Sequence, residues 1–574
     1  MDERRRRIAT RTIPAVLLAS SAFIGGVVVA ADPAAPAAKR FLDAWERGDL
    51  AAMYDEVTPE ARADYPLDSF ERAYRDAAAT ATIDELTAGE VVERDGAATS
   101  PISFDTHAFG DLEGELELPL DDDAIAWEPH HVYPGLIAGE QLLRRTRAPR
   151  RAPILAADRS PLAQGPAAAR TVGTAAAAIV GEVGEPTGAQ AEELTRRGFP
   201  PGTPTGTSGL ELAWNERLAG LAGGQLLAVS GAAQSEVGGG RPLATSDPVA
   251  GKAVRTTIDP ALQEAAVSAL GSLYGGVAAI DARDGSVLAL SGLAYSAPQP
   301  PGSTFKVITT VGALDAGIVA PGDEFPVEIS NSEIGREIAN SHDAPCGGTF
   351  TESFASSCNT VFAPLGAELG GEALVEVAES FGFNSPPSLF GRQAAAAVAP
   401  PPSTIPAQLA SSVEVGESAI GQGQVLATPL QMASVAQTIA NGGTREPTAI
   451  VRTAELRPDA EPVEVTSEQT AATVRDLMVA VVDSGTGVAA AIPGIQVAGK
   501  TGTAELGPEA LEPGVELEPD EEPPQELDAW FTAFAPAGDP KLAVAVMVVD
   551  SEGDGGEVAA PIARQVLEAG LAAG

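Results

Sequence analysis

Near the C-terminus, Leu542-Ala-Val-Ala-Val-Met-Val-Val549 runs eight residues without a polar side chain. A run so short and so rich in valine reads as a strand buried on both faces, and such a strand needs partners on both edges. A hairpin signal lies far upstream, in Gly276-Val-Ala-Ala-Ile280, a turn from Asp281 to Gly285, and Ser286-Val-Leu-Ala-Leu290. An amphipathic helix opened by Thr257-Ile-Asp-Pro-Ala-Leu-Gln263 precedes it, and long helices follow. From Val254 onward the pattern therefore predicts helices packed on an antiparallel sheet whose strands come from both ends of the segment.

The rest of the chain forms separate bodies, since 574 residues are too many for one core. Behind Arg4–Arg7 and Arg11, the run Ile13–Ala31 holds nineteen uncharged residues, enough to cross a hydrocarbon layer as a helix. The arginines would stay cytoplasmic and everything after Asp32 would lie outside. A cleaved signal peptide is the competing reading, with Val29 and Ala31 as acceptable small residues, and it leaves the body extracytoplasmic as well. From Lys39, Phe41, Leu42 and Trp45 share a helical face; Phe70, Tyr74 and Ala77 mark another helix; Ile83 to Trp127 alternates as strands. This predicts a small α+β domain ending near Arg147. Residues 164–250, rich in Ala, Gly, Thr and Pro, read as an irregular connecting domain with a helical interruption at Gly209–Trp214.

A net charge of -43 repels polyanions, which excludes a nucleic-acid partner. Two Cys and four His, with no CxxC pair and no HExxH, leave no zinc site; no metal or other cofactor is expected. The chemistry lies elsewhere. Ser303-Thr-Phe-Lys306 follows Pro300-Pro301-Gly302 and opens an apolar helical run, so Ser303 sits at a helix N-terminus with Lys306 one turn on. A nucleophilic serine needs a base, and a lysine kept neutral by its surroundings can serve. Ser357-Cys358-Asn359, following Phe354 in a helical context, adds a hydroxyl that can relay protons and an amide that can bind a peptide group. Lys500-Thr501-Gly502-Thr503 adds a strand whose cation and hydroxyls can grip a carboxylate. Each motif alone is weak. In this order they are specific, because only five of the 36 basic residues are lysine and two of those fall in the set.

With these three motifs the chain resembles the class B penicillin-binding proteins, serine D,D-transpeptidases of peptidoglycan synthesis. The resemblance covers about 320 residues from Val254. It includes Ser418–Ala433, Ala440–Gly443, Gly485-Thr-Gly487, Ala529-Trp-Phe531 and Phe534-Ala-Pro536. Upstream, Trp127-Glu-Pro129 and Tyr133-Pro-Gly-Leu136 resemble the cone-shaped domain of the methicillin-resistance-type branch. Arg151–Ala163 resembles the pedestal signature, with Ala152 and Ser160 where glycines are usual. The implied fold is multidomain α+β. Residues 1–31 would be the Arg-rich tip and membrane helix, 32–147 the cone domain, 148–252 an extended pedestal or dimerisation domain, and 253–574 the penicillin-binding transpeptidase fold. No glycosyltransferase segment fits between residues 32 and 250, against the bifunctional type.

The resemblance implies that Ser303 is the nucleophile, Lys306 its base, helped by a cation at Lys500 that disfavours charge on Lys306, and Ser357 the proton relay. Asn359, Lys500, Thr501, Gly502 and Thr503 would bind substrate, with the N–H groups of Ser303 and Thr503 as oxyanion hole. Implied partners are stem peptides (a D-Ala-D-Ala donor and an amine acceptor), β-lactams, the bacterial cell membrane and a membrane glycosyltransferase. A carboxypeptidase, β-lactam sensor or β-lactamase on the same fold and a non-catalytic wall scaffold are the rivals. The two extra N-terminal domains speak against a β-lactamase, and the intact motif set against a scaffold. Cys346 and Cys358 either form a disulfide fixing the Ser357–Asn359 segment or stay as buried thiols. A triad through His342 is unnecessary, because Lys306 and Lys500 already account for the basic groups. Glu505–Asp528, with ten acids, five prolines and no base, reads as a solvated loop or an acidic flap at the cleft.

Overall fold

The computed structural model describes residues 36–230, 239–394, 396–508 and 525–573. The expected membrane helix Ile13–Ala31 and residues 509–524 of the acidic segment lie outside the described residues. Among the described residues, no helix is long and apolar enough to cross a membrane. The chain forms two compact units.

The first unit takes the chain to Ala148, with Glu192–Pro201 and Leu221–Pro248. Helix Leu67–Ala81 buries Phe70, Tyr74, Ala77 and Ala81, one stripe at helical spacing. Strand Ala97–Thr106 alternates as read from its sequence, burying Ile102 and Phe104, and pairs with Gly110–Asp121. Helix and sheet share a core with Phe41 and Trp127, and Trp127 Nε1 donates to the Tyr74 hydroxyl at 3.1 Å. The boundary expected at Arg147 is not a single cut. Glu140–Arg147 pairs along its whole length with Gly223–Ser230, which pairs in turn with Arg241–Thr245. Residues 223–245 belong to the stretch read from sequence as an irregular connecting domain, yet by their contacts they pack with this unit. An edge of unpaired backbone at 140–147 needs a partner strand, and that need draws the later residues into this unit.

The second unit contains the sheet foreseen from its two ends. Strands β1 (Gly275–Asp281), β2 (Val287–Gly292), β3 (Ala498–Pro508), β4 (Gln525–Ala535) and β5 (Leu542–Val548) run antiparallel in the order β2-β1-β5-β4-β3. Every residue of β5 is buried, because its alternate side chains serve two different cores. Ala543, Ala545 and Met547 join one core with helix Pro429–Ala440. Leu542, Val544, Val546 and Val548 join the other with Ala563, Val566 and Leu567 of the C-terminal helix. β3 lies at the sheet edge, and its pairing with β4 continues to Pro508 opposite Gln525. Glu505 and Asp528, read from sequence as loop, are therefore strand residues.

Between residues 149 and 220, regular structure is short, and one buried ion cluster organises it. Glu211 is fully buried; Arg151 Nη2 lies 2.6 Å from its Oε2 and Arg170 Nε 2.7 Å from its Oε1. Arg151 also donates to Asn215 Oδ1 at 2.9 Å and Arg170 to Ala152 O at 2.8 Å. Burial pushes the Arg151 guanidinium down and Glu211 opposes that shift. Removing the carboxylate leaves two buried cations facing each other. Glu211→Ala should therefore cost about 3–5 kcal/mol, read as a lower urea midpoint for the second unit.

Candidate active site

The site is assembled from three segments of the second unit. The first is a tight turn, Gly302–Phe305, leading into helix α1 (Lys306–Asp315). Gly302 has φ 51°, and a Cβ there would stand 2.4 Å from Thr503 O. A Cβ on Gly502 would stand 2.6 Å from Pro301 O. Two glycines facing each other thus let the Ser303 turn lie directly on β3. Gly302 N–H donates to Gly421 O at 3.0 Å, which ties the turn to the Gly421-Gln-Gly423 loop on its other side.

The second segment joins helices α2 (Phe350–Ala355) and α3 (Asn359–Leu369). Ser357 was expected in a helical context; it sits between the two helices at φ 60°. For a residue with a Cβ this left-handed conformation costs roughly 1–2 kcal/mol. Its neighbours hold it there. Ser357 N–H donates to Phe354 O at 3.1 Å and Cys358 N–H to Ser353 O at 2.9 Å. Cys358 is disulfide-bonded to Cys346, with Cα atoms 5.4 Å apart. The break in the helix turns the Ser357 hydroxyl toward two lysines.

Lys306 and Lys500 are both fully buried. Lys306 Nζ lies 2.8 Å from Ser357 O, 2.6 Å from Asn359 Oδ1 and 3.3 Å from Ser357 Oγ. Lys500 Nζ donates to Ser357 Oγ at 2.8 Å and to Thr501 O at 3.1 Å. Ser357 Oγ is thus the atom both amines share. Asn359 is held at each end, its Oδ1 by Lys306 and its Nδ2 donating to Ala339 O at 2.9 Å. The hydroxyls of Thr501 and Thr486 are 2.5 Å apart. Of the residues singled out in the sequence, the structure brings Lys306, Ser357, Asn359, Lys500 and Thr501 into one bonded network. It sets Ser303, Gly502 and Thr503 beside that network through the two-glycine contact.

Electrostatics makes the two lysines unequal. Burial pushes Lys306 well below the ordinary lysine range, and the neighbouring charge of Lys500 lowers it further. Burial lowers Lys500 to about 7. The sequence reading credited Lys500 with disfavouring charge on Lys306; burial is the larger cause. A neutral Lys306 spends two N–H bonds on Ser357 O and Asn359 Oδ1, and keeps a lone pair free to take a proton. What sequence missed is the rim. His342 Nε2 lies 3.8 Å from Asp554 Oδ2, and the backbone N–H of Gly555, next to Asp554, donates to Thr503 Oγ1 at 3.4 Å. No motif flagged Asp554. Among the described residues, no cluster of three His, Cys, Asp or Glu could hold a metal.

Residues 275–568 match the family model described as the penicillin binding protein transpeptidase domain. The chain belongs to the class B penicillin-binding proteins. Residues 169–256 match the penicillin-binding protein dimerisation domain and 33–140 the NTF2-like N-terminal transpeptidase domain. The peptidoglycan D,D-transpeptidase PbpA of Mycolicibacterium smegmatis is 36% identical over 392 residues, covering 57% of this chain and 74% of the relative. Among solved structures, the penicillin G acyl-enzyme of penicillin-binding protein A from M. tuberculosis superposes with TM-score 0.53 at 28% identity, covering 74% of this chain and all of that one. The D,D-transpeptidase domain from Eggerthella lenta gives 0.56 at 27%, covering 74% and 99%.

Lysine burial in this penicillin-binding protein has a measurable cost. Between pH 7 and the ordinary lysine range the unfolded chain carries the Lys500 proton and the folded chain does not, so folding stability rises with pH across that window. Below about pH 7 both states carry it and this slope vanishes. Denaturation at about pH 7.5 and 9.5 should show a gain of a few kcal/mol in the native chain, and a clearly smaller gain in Lys500→Met.

Proposed function

We propose that this penicillin-binding protein is a serine peptidoglycan D,D-transpeptidase, as its PbpA relative is named. The observation that carries the reading is the shared position of Ser357 Oγ, within 2.8 Å of Lys500 Nζ and 3.3 Å of Lys306 Nζ. That geometry gives one hydroxyl access to both a neutral amine and a cation.

In the first half-reaction, Ser303 Oγ attacks the carbonyl between the two terminal D-Ala residues, and its proton passes to Lys306 Nζ. The oxyanion is met by the backbone N–H groups of Ser303 and Thr503, a role that the close approach of Gly302 to Thr503 O supports. The C–N bond breaks, and the leaving amine takes a proton from Ser357, which Lys306 resupplies. Lys500, Thr501 and Thr503 hold the terminal carboxylate, and Asn359 holds the donor peptide. In the second half-reaction an acceptor amine attacks the Ser303 ester. A new C–N bond forms, the C–O bond to Ser303 breaks, and the amine's proton returns along the same path to Ser303 Oγ. β-Lactams acylate Ser303 by the first half alone. The uncharged run Ile13–Ala31 would anchor the chain, with its body outside the cytoplasm and a glycosyltransferase as its membrane partner.

Labelling the full chain with a fluorescent penicillin tests this. A band that needs Ser303, absent in Ser303→Ala and persisting for hours, is expected. D-Ala release from a pentapeptide should fall by roughly three orders of magnitude or more in the same variant. A band that turns over rapidly would point to β-lactam hydrolysis instead. Absence of both labelling and D-Ala release would overturn the enzyme reading.

A further inference from the structure

Helix Glu468–Ser484 ends in Gly485-Thr486-Gly487, a turn that stands against β3 without belonging to any of the three motifs. Its backbone is fixed from several sides. The N–H groups of Gly485 and Gly487 both donate to Val481 O, at 3.1 and 2.9 Å, and Thr486 N–H donates to Ala355 O at 3.1 Å. A Cβ on Gly485 would stand 2.3 Å from Ala355 O, and one on Gly556 2.4 Å from Thr486 O. Two glycines thus let the Thr486 backbone lie between the end of α2 and the chain that follows β5. Its hydroxyl has two neighbours in the protein. Thr486 Oγ1 lies 2.5 Å from Thr501 Oγ1 and 3.4 Å from Ala355 O. Thr486 is exposed while Thr501 is 6% exposed, so the pair meets solvent on the Thr486 side.

Proton counting decides what this contact can do. A threonine hydroxyl has one hydrogen to give and two lone pairs to receive with. At 2.5 Å a single hydrogen lies between the two oxygens, and either threonine can supply it. If Thr501 supplies it, Thr501 has none left for a substrate carboxylate and turns lone pairs toward the anion. If Thr486 supplies it, the Thr501 hydrogen can point at the carboxylate, and the bond Thr501 receives strengthens the one it gives. Lys500 cannot take over that task alone: as a cation it has three N–H bonds, and two go to Ser357 Oγ and Thr501 O. Within the protein, the Thr486 hydrogen has only the longer contact to Ala355 O as its alternative, and that carbonyl already accepts from Thr486 N–H. Resting on the transpeptidase reading, we propose that Thr486 donates its hydroxyl hydrogen to Thr501 Oγ1 when the donor binds, and so aims the Thr501 hydrogen at the carboxylate of the terminal D-Ala. Thr486 is a positioning residue: it acts on the substrate through Thr501.

The test is the second-order rate at which penicillin G acylates Ser303 in the full chain. The penicillin carboxylate, like that of the terminal D-Ala, sits on the carbon attached to the scissile nitrogen. Thr486→Val keeps the branched shape without the hydroxyl, and at an exposed position it should hardly move the urea midpoint. Acylation should fall roughly three- to tenfold, the size of one neutral hydrogen bond, and Thr486→Ser should restore it. The kcat/KM for D-Ala release from a pentapeptide should follow the same order. Two comparisons isolate the route through Thr501. In a Thr501→Val background, Thr486→Val should have no further effect, since the hydroxyl it orients is gone. With penicillin G methyl ester, which carries no carboxylate, Thr486→Val should leave the acylation rate unchanged. A merely structural role would carry the same loss into both comparisons, and that result overturns the proposal, as does an unchanged penicillin G rate in Thr486→Val. A native chain that forms no Ser303 acyl-enzyme and releases no D-Ala would instead sink the transpeptidase reading beneath it, and this proposal with it.

Discussion

Everything at the site depends on two buried amines held around one hydroxyl. Lys306 and Lys500 are fully buried, and Ser357 Oγ lies between them. Burying a lysine that stays charged is costly, and burying one that goes neutral is cheaper, so desolvation itself prepares the base. Two cations at this range also repel, which explains why they divide: Lys306 is depressed furthest, and Lys500 keeps a value near 7. One lysine is thereby suited to taking a proton and the other to meeting a negative charge. The aromatic faces of Phe362 and Phe354, 5.3 and 5.7 Å from the respective Nζ atoms, complete dry walls without adding a counter-charge.

That arrangement would relax if its supports were soft. Ser357 stands in an unfavourable backbone conformation, so the disulfide one residue later, the end of α2 and the start of α3 bear on catalysis through geometry. A twelve-residue separation between the cysteines makes the closed loop small, and its constraint local. The Ser303 turn is fixed differently, by the absence of atoms. Any side chain at 302 or 502 would drive the turn off β3 and open the gap between Ser303 and Thr503. One half of the site is held by a covalent link and the other by two missing Cβ atoms.

How much of this was legible follows from the same physics. The apolar run of β5 betrayed a strand with two buried faces, and the β1–β2 hairpin supplied its neighbour, so the sheet could be read from elements some 250 residues apart. Motif spacing marked Ser303, Lys306, Ser357, Asn359 and Lys500 because each segment carries its chemistry locally. The pairing of 223–230 with 140–147 was hidden, since 164–250 reads by composition as one irregular stretch and only the unmet hydrogen bonds of the earlier strand call for it. Ser357 read as helical because nothing in three residues announces a left-handed turn. Glu211 was invisible for a plainer reason: an acidic residue among 79 acquires meaning only from the cation that folding puts beside it.

The partners of the two lysines also bear on which reaction the acyl-enzyme prefers. Among the described residues, those within hydrogen-bonding distance of Lys306 or Lys500 are carbonyls, a hydroxyl and an amide, with no carboxylate. A carboxylate there would raise both lysines back toward their ordinary range and spoil the base. It would also offer water a general base beside the ester, and hydrolysis would then compete with transfer. The depression of both lysines thus goes with the exclusion of carboxylates from the surroundings of Ser357 Oγ.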